Sequence, residues 1–78
     1  MATVEWQDRI TADPKVLVGK PVIKGTRISV EMVLDLLGRG YAQDEILAQY
    51  DHLTHEDIQA CLVYASELVQ SEKVYDAP

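Results

Sequence analysis

Thr54-His55-Glu56-Asp57-Ile58-Gln59-Ala60-Cys61-Leu62-Val63-Tyr64-Ala65-Ser66-Glu67-Leu68-Val69-Gln70-Ser71-Glu72 holds the clearest periodicity in the chain. Ile58, Cys61, Leu62, Ala65, Leu68 and Val69 recur at intervals of three and one, which places them on one stripe of an α-helix. Thr54 and Asp57 have the spacing of a capping box, with Asp in the position usually held by Glu or Gln. A helix from His55 to Glu72 would be about 27 Å long. A three-helix core of this size needs less, so the last turns are expected to meet something outside the domain.

Working upstream, the same logic gives two more helices. Ile46, Leu47 and Tyr50 form the inner face of a short helix over about Ala42 to Tyr50, and Asp51-His52-Leu53 makes the turn that follows. Val30, Val33, Leu34 and Leu37 form an earlier stripe, with Ser29 as N-cap, Glu31 in the first turn and Gly38-Arg39-Gly40 as the stop. Before Ser29 the period is two. Val4, Trp6, Asp8 and Ile10 alternate, and Val16-Leu17-Val18, Val22-Ile23 and Arg27-Ile28 are short β-like runs. Ala12-Asp13-Pro14, Gly19-Lys20-Pro21 and Lys24-Gly25-Thr26 separate them as breaks and turns. The expected fold is mainly α, a three-helix, homeodomain-like helix-turn-helix bundle with a short N-terminal β-arm or hairpin. Residues 1–78 read as one domain, with the arm at 1–28, the core at 29–73 and a tail at 74–78.

A length of 78 residues allows a single domain whose small core would gain from a partner or a second copy. The net charge of −6 is unevenly placed. Residues 1–40 hold six bases and five acids, net +1, whereas residues 41–78 hold Lys73 against eight acids, net −7. Such asymmetry points to a macromolecular partner as well as to plain solvation of a helical face. With Cys61 the one cysteine, no internal disulfide can form, which fits a reducing compartment. No apolar run approaches the roughly 18 residues of a membrane span, and Met1 to Trp6 lacks the basic start of a signal peptide. A cytoplasmic protein without membrane contact is expected.

The chemistry-bearing residues argue against an enzyme. Gly19 to Thr26 superficially resembles a phosphate loop, but the order Lys24-Gly25-Thr26 differs from the required Gly-Lys-Ser/Thr, and Pro21 and Ile23 stiffen the loop. His52, His55 and nearby acids could contribute metal ligands, but they straddle a turn and a helix start. The simpler roles are a solvated His55, a capping Asp57 and a core Cys61. No cofactor, metal site or catalytic residue is expected. The helices at about 42–50 and 55–72 have helix-turn-helix spacing, yet the second begins His55, Glu56, Asp57, where phosphate would be repelled. Any DNA contact is therefore expected from Lys20, Lys24 and Arg27. The competing structural role gives Gly25 to a turn, Thr26 to backbone hydrogen bonds and Arg27 to an ion pair with Glu31 or Asp35.

Ile10, Asp13-Pro14, the block Gly19-Lys20-Pro21-Val22-Ile23-Lys24-Gly25-Thr26-Arg27-Ile28, Gly40, Glu45-Ile46, Leu53-Thr54, Asp57-Ile58 and Tyr64-Ala65 together resemble the DUF433 family, a domain of unknown function. The likeness covers roughly residues 6 to 70. It implies a homeodomain-like or winged-helix-like three-helix fold after a short β segment, and an antitoxin-like protein encoded beside a toxin with a PIN-like ribonuclease domain. It carries over no catalytic residues. The tail from Ser71 to Pro78 is short beside the toxin-wrapping segments of longer antitoxins.

The expected function is a non-enzymatic interaction module that neutralises such a toxin. Tyr64, Glu67, Leu68, Glu72, Tyr75 and Asp76 are the candidate partner contacts. Two alternatives stand beside it. One is a DNA-binding transcriptional regulator, acting on its own promoter through Lys20, Lys24 and Arg27. The other is a stand-alone homodimer that pairs through Tyr64, Leu68 and Val69.

Overall fold

A computed structural model describes residues 5–12 and 19–71 of the chain. It is mainly α. A two-stranded antiparallel hairpin, β1 (Ile10–Thr11) and β2 (Val22–Ile23), precedes α1 (Val30–Gly38), α2 (Gln43–Gln49) and α3 (His55–Ser71). In the hairpin Ile10 faces Ile23 and Thr11 faces Val22, and an isolated bridge joins Val22 to Ser29. Val4 lies outside the described residues, and from Trp6 onward the strand is shorter than the alternation suggests. Trp6–Asp8 is a single 3-10 turn, because Trp6 is drawn onto α3; among the described residues of the arm, Ile10 and Thr11 pair with β2. The run Val16–Val18 lies outside the described residues.

The link from β2 to α1 is a compact turn. Gly25 has φ +78°, a left-handed conformation that side chains disfavour. The Thr26 hydroxyl donates to the Ile23 carbonyl at 2.8 Å and accepts from the Ile28 amide at 3.0 Å. Ser29 then caps α1, its Oγ accepting the Met32 amide at 3.0 Å. At the other end Gly40 takes φ +97°. Its amide donates to Leu37 and that of Tyr41 to Leu36, the paired bonds of a Schellman termination.

Each remaining helix is capped by its own acids. In α2 the Glu45 carboxylate accepts the Ala42 amide at 2.7 Å, while Ala42 has no side-chain oxygen to return the bond. In α3 the box is complete: Thr54 Oγ1 accepts the Asp57 amide at 3.2 Å, and Asp57 Oδ2 accepts the Thr54 amide at 3.1 Å. The shorter Asp side chain therefore closes this box. Ile10, Ile23, Ile28, Val30, Val33, Ile46, Leu53, Ile58, Ala60 and Cys61 form one buried cluster fed by the hairpin and all three helices. None of the described helices is long and apolar enough to cross a membrane.

Candidate interaction surfaces

The face that α3 turns inward is displaced from the expected stripe. Asp57, Ile58, Ala60 and Cys61 are buried and Tyr64 half-buried, while Leu62 and Val69 stand exposed. The displacement has a visible cause on the N-terminal arm. Arg9 Nη1 lies 3.0 Å from Asp57 Oδ1, and the Trp6 ring meets Tyr64 edge-on at 4.8 Å while its Nε1 donates to Glu67 at 3.0 Å. Periodicity scores Asp57 and Tyr64 as outward polar positions. Their partners lie some fifty residues away in sequence, so no local signal finds them.

Cys61 is fully buried, and that burial, with the charge of Asp57 added, pushes its thiol up to about 12. A thiolate nucleophile is thus not available near neutrality. His55 is exposed, with Nδ1 3.0 Å from Gln43 Oε1 and Nε2 3.2 Å from Asp44 Oδ1, so it ties α3 to the start of α2. His52 lies 3.8 Å from Asp51 on the turn. Among the described residues no group of three or more His, Cys, Asp and Glu side chains could hold a metal ion.

Among the described residues three surfaces stand out as able to bind a partner. The first is the basic loop. Lys20 lies 3.2 Å from Glu31, and the Lys24 ammonium donates to the Gln7 carbonyl at 2.9 Å, so both are matched within the chain. Arg27 is exposed and does not reach Glu31 or Asp35: Lys20 has taken the first, and Arg39 holds the second at 2.8 Å. The second surface is acidic. From Tyr41 to Ser71 the chain contains six carboxylates and neither lysine nor arginine, and Asp44, Glu45, Asp51 and Glu56 are exposed around α2 and the start of α3.

The third surface is a cleft of about 760 Å³ between α1 and the second half of α3. Pro21, Val30, Leu34, Gly38, Tyr64 and Leu68 line it, and charge is confined to Lys20, Glu31, Asp35 and Arg39. Of the expected partner contacts, Tyr64 and Leu68 belong to this cleft, and Glu67 sits beside it holding Trp6. Val69 does not line it. Glu72, Tyr75 and Asp76 lie outside the described residues.

Comparison with known proteins gives a family and adds no activity. Over 24 residues the chain is 67% identical to an uncharacterized protein of Archaeoglobus fulgidus, a match spanning 31% of this chain and 67% of that protein. No solved structure matches. A family model described as a protein of unknown function matches residues 10–65, from the first hairpin strand into the middle of α3. The chain belongs to the DUF433 family.

Proposed function

We propose that the protein is a non-enzymatic interaction module of the antitoxin type, which binds a basic, nucleic-acid-handling protein such as a PIN-like ribonuclease and blocks its substrate surface. One observation carries this reading: from Tyr41 to Ser71 the chain presents exposed carboxylates with no lysine or arginine among them. A ribonuclease must offer positive charge to phosphate, and an acidic surface competes for the same ground. The same feature makes α3 unsuited to the DNA major groove, since the exposed Glu56 stands in its first turn.

Co-expression with the product of an adjacent ribonuclease gene tests the proposal. A complex should survive purification, suppress the nuclease and weaken as salt rises. The double substitution Asp51→Lys and Glu56→Lys should lower affinity about tenfold or more while the fold is retained. A nuclease that is neither bound nor inhibited by the wild-type protein would overturn it.

A further inference from the structure

We infer that the α1–α3 cleft is a self-association surface, occupied by a second copy of this chain related by two-fold rotation. The inference goes beyond the acidic-partner reading and stands without it. Charge selects the occupant. The chain carries −6, so two copies repel across most orientations, above all through the α2–α3 face. Among the residues that line the cleft the balance is neutral: Lys20 with Glu31 at 3.2 Å and Arg39 with Asp35 at 2.8 Å. Two copies can meet here without net repulsion, and in an isologous contact the Asp35–Arg39 pair can exchange for Arg39 and Asp35 of the other copy. These four charges are already paired on the rim, which leaves no convergent polar groups to orient a small ligand. An extended apolar surface is the better fit.

Gly38 is the second, independent observation. It is the last residue of α1 and lines the cleft. The Schellman termination uses Gly40, so Gly38 is not needed for the stop. It has no left-handed φ, and a Cβ built on it meets nothing within 4 Å. Neither its backbone nor packing among the described residues calls for glycine, although it costs a helix about 0.5–1 kcal/mol relative to alanine. A close approach by another backbone accounts for it: one turn beyond Leu34, the bare helix surface lets a second α1 come near.

Sedimentation equilibrium of the full chain across about 5 to 200 μM reads the outcome directly. The wild type should form a dimer with a micromolar dissociation constant. Gly38→Leu should raise that constant about tenfold or more, with circular dichroism unchanged. Gly38→Ala should split the signs, raising thermal stability at dilute, monomeric concentrations while loosening the dimer. Asp51→Lys with Glu56→Lys should leave the dimer intact, which separates this surface from the acidic one. A wild type that stays monomeric throughout overturns the inference, as does a dimer indifferent to Gly38→Leu. Occupancy of the cleft by the ribonuclease partner in place of a second copy, seen as protection of Tyr64 only in that complex, would overturn it as well.

Discussion

From His55 to Cys61, α3 turns Asp57, Ile58, Ala60 and Cys61 into the core, whereas from Leu62 to Gln70 no residue is buried. The second half is no less apolar: Leu62, Val63, Ala65, Leu68 and Val69 all fall there. What differs is the company each half keeps. The first half meets the hairpin, α1 and α2, and the Arg9–Asp57 ion pair ties it to the arm. The second half has the arm's Trp6 on one side and the cleft on the other. A helix of seventeen residues lies against neighbours of nine and seven, or about 25 Å against 13 and 10 Å, so length alone carries its far end past α1 and α2. Amphipathic spacing reports that a residue could be buried; the neighbouring elements decide whether it is.

The strongest way to break this contrast is to empty the first half. Ile58 is fully buried among residues from every element. Ile58→Ala should destabilise the fold by about 3 kcal/mol, through lost transfer energy and a cavity the packed core cannot close. Urea unfolding monitored by circular dichroism measures it, preferably below the concentration at which any dimer forms. A loss under about 1 kcal/mol would mean the first half is not the anchor described here.

Asp57 tests the arm's share of the same anchor. Its carboxylate accepts the Thr54 amide and meets Arg9, with the residue only 8% exposed. Asp57→Ala should cost about 2 kcal/mol, roughly half from the cap and half from the ion pair. Arg9 is more open, and Arg9→Ala leaves the cap in place, so its cost should be nearer 1 kcal/mol. Equal costs for the two substitutions would show that the capping bond contributes little.

These residues also show what a sequence makes legible. Ser29, Thr54, Asp57 and Gly25 declare themselves because capping and turning are local acts, decided within three or four residues, and all four perform them in the structure. Helix boundaries follow from the same signals. Within an arm that does form a hairpin, Trp6–Asp8 alone departs from the strand reading, because Trp6 answers to Tyr64 and Glu67, fifty-eight and sixty-one positions away. The candidate surfaces divide in the same manner. The acidic half is pure composition and can be counted, but the cleft exists only once α1 and α3 cross. Lys20 and Arg39 pairing with Glu31 and Asp35, in place of Arg27, is likewise a matter of which side chain arrives first in space.

The smallest expected effect sharpens the comparison most finely, because it divides the second half of α3 against itself. Tyr64 and Leu68 face the cleft, while Leu62 and Val69 are 37% and 62% exposed and absent from its lining. Leu62→Lys and Val69→Lys should therefore change stability by no more than about 0.5 kcal/mol each, since a lysine stem can cover what the apolar side chain covered. Neither should alter the sedimentation profile, because neither reaches the surface assigned to the second copy. A large loss of stability at Val69 would mean that the end of α3 is covered from the side opposite the cleft. Dimer loss at Leu62 with the fold intact would move the interface around the helix and away from Gly38. If both substitutions are silent, this half contributes to the cleft through Tyr64 and Leu68 and not through Leu62 or Val69.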